Sequence, residues 1–375
     1  MDRRAFLRAG LASAAVAALG PRLTGCGPDL GPYGALGTAD ANGIKLPRGF
    51  TSHVLARSGS IVPGTTYAWH AAPDGGATFP VDGGGWAYVS NCELPAAAGG
   101  AGALRFGPDG AVVGASRILD GTTRNCAGGP TPWGRWLSCE EFDGGRVWEC
   151  DPLGVAPPVV RPALGVFNHE AAVVDPERGQ VYLTEDKPDG RLYRFRPDAY
   201  PDLSSGVLEV ATVVSGLVEW TAVPDPSAHL LPTRLQVPTS TAFNGGEGAW
   251  FADGTLWFTT KGDNRLWELD VVTSQLSVLY DAARFTTPVL TGVDNIVQAR
   301  NGDLYVCEDG GDLQLVIVRP DGRVWAFLQL TGQPGSELTG VAFDPSGTRL
   351  YFSSQRGPTG TGSGLTYEVR GPFLR

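Results

Sequence analysis

Short, mainly apolar runs bounded by polar turns recur along the chain, each run following a turn and carrying an aromatic at a fixed place. In the first half these are Trp86-Ala87-Tyr88-Val89-Ser90, Arg135-Trp136-Leu137-Ser138 and Val181-Tyr182-Leu183-Thr184. The second half gives Leu256-Trp257-Phe258-Thr259, Leu304-Tyr305-Val306-Cys307 and Leu350-Tyr351-Phe352-Ser353. Aligned on residues 88, 136, 182, 257, 305 and 351, the spacings are 48, 46, 75, 48 and 46, so the long interval holds an insertion, expected within 197–243. A period in the forties built from short β-branched and aromatic strands predicts four-stranded propeller blades. The fifth unit shows all four strands, at 296–298, 304–307, 313–318 and 324–328, with Asn301-Gly302, Gly310-Gly311 and Asp321-Gly322 as hairpin links. The sixth unit has three strands, and the alternating stretch 50–56 is expected to supply its fourth. The pattern therefore predicts an all-β fold over 50–375, a six-bladed β-propeller closed by an N-terminal strand in the last blade, with 26–49 as a linker.

Composition agrees with a turn-rich chain. Among 375 residues there are 53 Gly and 29 Pro, and charged residues make up only 18%, which excludes a fold of long helices. The formal net charge of −10, with no basic run beyond the first residues, excludes nucleic acid as an expected partner. A closed ring buries its own edges, so a monomer is expected. The three Lys stand at 45, 187 and 261.

The first 25 residues resemble an export signal. Arg3-Arg4-Ala5-Phe6-Leu7 followed by an Ala-rich stretch fits the twin-arginine route, which carries folded proteins to the periplasm or beyond. Leu23-Thr24-Gly25-Cys26 resembles a lipobox, making Cys26 a candidate lipid anchor; plain cleavage to a soluble protein is the alternative. Without residues 1–25, which carry a net +3, the remaining chain stands at −13.

Propeller geometry locates the chemistry. The innermost strand of a blade and the next one are antiparallel, so the start of the first and the end of the second meet at one rim of the channel. Before the blade aromatics stand Cys126, Glu170, Glu247, Asp294 with Asn295, and Glu337; after them stand Asn91, Glu93, Glu140, Glu141, Glu185, Asp186, Lys261, Glu308 and Asp309. So many acids around a narrow channel repel one another unless cations bind between them. Carboxylate and amide oxygens suit Ca²⁺ or Mg²⁺, and one thiolate at Cys126 adds a transition metal such as iron or zinc. Neither CxxC nor HExxH is present and His number four, which disfavours an ordinary zinc site. His169 is expected to orient its neighbours or fill the core. Cys26 apart, the cysteines at 92, 126, 139, 150 and 307 form an odd set, consistent with one thiol held by a metal.

These segments resemble the PhoX-type alkaline phosphatases, metal-dependent enzymes exported by the twin-arginine route. The resemblance rests on 125–141 (Asn-Cys-Ala-Gly-Gly-Pro-Thr-Pro-Trp-Gly-Arg-Trp-Leu-Ser-Cys-Glu-Glu), Asn168-His169-Glu170-Ala171-Ala172, Tyr182-Leu183-Thr184-Glu185-Asp186, Glu247-Gly248, Asp294-Asn295 and Cys307-Glu308-Asp309-Gly310. It implies a mixed iron and calcium cluster at one channel mouth and hydrolysis of small phosphate monoesters. Cys126 would hold iron; Glu141, Glu170, Glu185, Glu247 and Glu308 would bridge the metals, with Glu93, Asp186, Asp294 and Asp309 as further ligands. Lys261 and Arg124 would meet the phosphate or its leaving oxygen, with Asn295 beside them. The chain departs from the pattern at Asn91-Cys92-Glu93, where Asn-His-Glu is expected, and at Gly245-Gly246, where a phosphate-holding Arg is expected.

Two other functions fit a carboxylate-rich propeller: a calcium-dependent lactonase or esterase without a thiolate, and a non-catalytic binding propeller stabilised by calcium. Loss of iron and phosphatase activity in a Cys126→Ser variant separates the first from the phosphatase reading. Absence of any phosphate-ester turnover separates the second.

Overall fold

The computed structural model describes residues 30–375; the export segment and Cys26 lie outside the described residues. Strands dominate, and the helices among the described residues are short 3-10 turns of three residues. The strands run up and down in antiparallel order, because short turns, many of them Gly-bearing, reverse one apolar run into the next. At Asn301-Gly302 and Asp321-Gly322, for example, the glycines take φ of 88° and 80°, which only glycine adopts freely.

The result is an all-β propeller-like fold of five hydrogen-bonded sheets among the described residues. The number differs from the repeat number for a local reason. The long interval folds into the strands Asp202–Val214 and Leu217–Ala222, and the second touches the following sheet through one pair, Leu217 with Gln275, merging nine strands into one sheet. Within it, His169–Val214 and Gly246–Asp281 each remain an antiparallel meander.

The innermost strands follow one another around an axis. Pro73–Pro80 packs on Asn125–Pro130, then His169–Asp175, Gly246–Ala252, Val293–Gln298 and Leu338–Phe343, which returns to Pro73–Pro80. Apolar clusters fill the gaps between successive meanders, and the repeat aromatics Tyr88, Trp136, Tyr182, Trp257, Tyr305 and Tyr351 are all buried in them. Each such ring contributes about 1.5–3 kcal/mol of burial energy, which is why the aromatic recurs at one place in the repeat.

The sheet that ends the chain is closed by its beginning. Thr51–Arg57 pairs antiparallel with Leu365–Arg370, with Val54 opposite Tyr367. The preceding stretch, read above as a linker, lies on the neighbouring sheet. Ile44 pairs with Leu330, and Tyr33 packs edge-on against Phe50 and Phe327.

Candidate active site at the channel mouth

All six innermost strands carry a register shift near their start, just where they approach the axis. A bulge leaves a residue unpaired and re-aims its side chain. In five strands the first unpaired residue is Asp74, Cys126, Glu170, Glu247 or Asp294. In the sixth it is Gly340, and Glu337 immediately precedes that strand. A second ring comes from the partner strands. The residues directly following their last paired position are Glu93, Glu141, Asp186, Lys261, Asp309 and Gln355.

Both rings open into one cavity of about 430 Å³, lined also by Arg124, Arg356, Leu94 and Pro95. Its floor is the channel between Gly75, Ala127, Gly129, Ala249, Ile296 and Phe343, where small residues let the strands approach. Asn91 braces the thiol-bearing bulge: its Nδ2 donates to the Cys126 and Ala127 carbonyls at 3.0 and 2.7 Å, and its Oδ1 accepts from Trp136 Nε1 at 2.9 Å.

Of the residues singled out by sequence, the cavity brings together Cys126, Glu141, Glu170, Glu247, Glu93, Asp186, Asp294, Asp309, Lys261 and Arg124. Glu185, Glu308 and Asn295 are placed elsewhere. The carboxylate of Glu185 accepts from Tyr193 Oη at 2.8 Å and from the Arg191 amide, and Arg234 lies 3.5 Å away. That of Glu308 accepts from the Thr291 and Gln314 amides, both at 2.9 Å, as Glu140 accepts from the Thr123 and Arg146 amides. These glutamates are the last residues of their strands and tie down the next turn. Asn295 lies in the channel floor, where its Nδ2 donates to Asp294 Oδ1 and its Oδ1 accepts from the Gly340 amide, each at 2.7 Å. His169 is buried against Phe167 and contacts the Gly165 carbonyl at 3.1 Å. The five described cysteines are all free.

Among the cavity residues not expected from the sequence, Asp74, Gln355 and Arg356 belong to its hydrogen-bonded and ion-paired network. Gln355 Nε2 donates to Glu93 Oε2 at 2.9 Å and also to Asp74 Oδ2, and Arg356 Nη2 lies 2.9 Å from Glu337 Oε1. The signal available for Asp74 was its distance of 14 residues before Tyr88, within the window used for the other strands.

Charge in the cavity is badly balanced. Nine carboxylates line it against Arg124, Lys261 and Arg356. Burial first, then Glu93 and Asp186, push Glu141 up to about 8. Burial and the neighbouring acids hold Glu170 and Asp74 well above the carboxylate range. Burial, then Asp74 and Glu170, raise the Cys126 thiol. The donor atoms nonetheless converge. One ligand atom from each of Cys126, Glu141 and Glu170 lies within 4.8 Å of the others, as do those of Asp74, Glu93 and Glu337, and of Glu170, Glu247 and Asp294. Glu170 is fully buried, and its Oε2 has no hydrogen-bond partner among the described residues. A buried orphan carboxylate oxygen beside a thiol and further acids is a donor set that fits a cation.

Arg124 is held differently from the other cations. Its backbone sits at φ 49°, in the left-handed region, with its amide donating to the Leu94 carbonyl at 2.8 Å and its carbonyl accepting from the Glu141 amide at 2.7 Å. Its side chain is exposed at the rim and has no carboxylate within ion-pair distance among the described residues. Strain of this kind, about 1–3 kcal/mol, persists where surroundings fix the backbone.

Scaffold and cavity together define an all-β propeller-like protein whose polar side chains converge on one mouth of its axis. The family model described as Alkaline phosphatase PhoX matches residues 87–148 and 142–275, just over half of the sequence, and the chain belongs to that family. It is thereby a phosphatase-type hydrolase. The structure of Pseudomonas fluorescens PhoX in complex with vanadate, a transition state analogue, is similar with a TM-score of 0.72 and 17% identity, covering 90% of this chain and 97% of that one. A gluconolactonase from Xanthomonas campestris gives 0.50 at 17% identity, covering 91% and 98%. A protein of unknown function from Bacteroides thetaiotaomicron gives 0.54 at 10%, covering 86% and 76%. At these identities the likeness is one of fold. A search of curated proteins found no match.

Proposed function

We propose that the chain is a metal-dependent phosphomonoesterase, a six-bladed propeller exported by the twin-arginine route, with iron and calcium at the channel mouth. The six-blade count treats the nine-stranded sheet as two blades joined through Leu217–Ala222, which the cyclic order of innermost strands supports. The observation that carries the functional reading is the ring of bulged positions Asp74, Cys126, Glu170, Glu247 and Asp294 aimed into one cavity, in a chain of this family.

Cys126, Glu141 and Glu170 would hold the iron side, and Asp74, Glu93 and Asp294 the calcium side, with Glu247 and Glu337 shared with the Lys261 and Arg356 cations. Bound metals supply Lewis acidity and an activated nucleophile for phosphoryl transfer. The chain's own groups do the positioning. Arg124, preset by its backbone and unpaired at the rim, binds the anionic ester and orients it toward the thiol side. Leu94 and Pro95 wall the cavity and exclude water from one flank. Glu185 and Glu308 act at a distance, holding the turns that aim Asp186 and Asp309.

The test is turnover of p-nitrophenyl phosphate by exported protein reconstituted with iron and calcium, alongside elemental analysis. Hydrolysis that requires both metals is expected. A protein that binds both and turns over no phosphate ester sinks the reading.

A further inference from the structure

We infer that Lys261 is a tethered cation, an ammonium that permanently fills one of the cation positions of the acidic ring. The inference rests on the metal-dependent reading above and concerns where in the ring the ions sit.

The sheets themselves supply the comparison. The position after each second strand is Glu93, Glu141, Asp186, Lys261, Asp309 and Gln355 in turn, and only the fourth is basic. The lysine does not reach away from its neighbours. Its Nζ lies 2.8 Å from Glu247 Oε1 and 3.2 Å from Asp309 Oδ2, so it bridges an acid of the bulged ring and an acid of the outer ring. Glu247 is only 2% exposed, and a buried carboxylate needs a positive partner. Asp309 is compensated again on its other oxygen by Arg356 Nη1 at 3.7 Å, and Arg356 in turn pairs with Glu337.

The opposite side has no such compensation. Asp74, Glu93, Glu141, Glu170 and Asp186 have no Lys or Arg nitrogen within 4.0 Å among the described residues. Protein cations thus partly neutralise the Glu247, Asp309 and Glu337 side, and the demand for metal falls most heavily on Asp74, Glu93, Cys126, Glu141 and Glu170. An ammonium 2.8–3.2 Å from two oxygens stands where Ca²⁺, with ligands at about 2.3–2.6 Å, would otherwise bridge them. Lys261 therefore lowers the number of ions the site takes, and its ammonium is committed to the scaffold instead of to the phosphate.

Calcium content per chain, measured on the full chain by equilibrium dialysis and elemental analysis, tests this with Lys261→Ala, which vacates the position, and Lys261→Glu, which gives it the acid that four of the other five positions carry. Each variant is expected to hold one more calcium than the wild type, and calcium is expected to raise the melting temperature of K261E more than that of the wild type. Unchanged calcium content overturns the inference. So does a K261E protein equally destabilised with and without calcium, the behaviour of a purely structural ion pair. A variant that folds only in calcium supports it; one that fails to fold in either condition overturns it. A wild-type chain that holds no divalent ion defeats the metal reading itself, a result distinct from all of these.

Discussion

Cys126 Sγ stands 3.2 Å from Glu170 Oε1, joining the bulged positions of two neighbouring innermost strands. Because the second Glu170 oxygen is orphaned, the pair is poised for a shared partner. Cys126→Ser is expected to lower iron affinity by at least about 10–100-fold, the range found when groups further from a metal are removed. Elemental analysis of the variant checks it, and full retention of iron would contradict the assignment of the thiol.

Glu141 and Glu185 are expected to separate cleanly. Glu185→Gln weakens the contacts to Tyr193, Arg191 and Arg234 and should cost about 1–3 kcal/mol of stability with metal content preserved. Glu141→Gln should do the reverse. Urea titration beside metal analysis distinguishes them, and loss of metal in the Glu185 variant would reassign it to the cavity.

His70 makes stability depend on pH. It is buried among Trp69, Tyr67 and Ser90, with Arg117 nearby, and burial first, then Arg117, lowers its pKa from 6.5 to about 3. The unfolded chain therefore binds a proton there between these values while the folded chain does not. The stability this neutral ring contributes is present above pH 6.5 and is lost progressively as pH falls toward 3. In His70→Gln the fall in denaturation midpoint between pH 6.5 and pH 4 should be shallower than in the wild type. An unchanged slope would place the sensitivity elsewhere.

Gly128 closes the thiol-bearing bulge at φ 156°, and a Cβ there would run into the Leu137 carbonyl oxygen. Gly128→Ala should cost about 3 kcal/mol through overpacking and, because the bulge aims Cys126, reduce iron content as well. A loss of stability with full iron content would show that the thiol is positioned independently of the bulge.

The strands were legible because each repeat aromatic must fill an apolar gap, so Tyr88, Trp136, Tyr182, Trp257, Tyr305 and Tyr351 recur. The merged sheet was not, since a single contact between Leu217 and Gln275 has no periodic signature. At the site, pairs such as Glu185-Asp186 and Glu308-Asp309 announced that acids stand at strand ends. Successive side chains point to opposite faces, so which member reaches the cavity depends on where pairing stops. Asp74 was hidden for another reason. Pro73-Asp74-Gly75-Gly76 has the composition of a turn, yet it opens an innermost strand because the glycines allow close approach to the Cys126 segment. Arg356 gave no signal, as a lone arginine in a Gly-rich stretch resembles a solvated loop residue.

The pairing of Thr51–Arg57 with Leu365–Arg370 means that the ring cannot shut before Leu365–Arg370 has been made. Until the final strand is available, the last sheet has an open edge and the innermost strands have no closed axis to pack around. Contacts of such long sequence separation form slowly, so the cavity, assembled from every sheet, comes into being only when the ring shuts. A metal centre so built would be loaded after closure, in whatever compartment holds the finished ring.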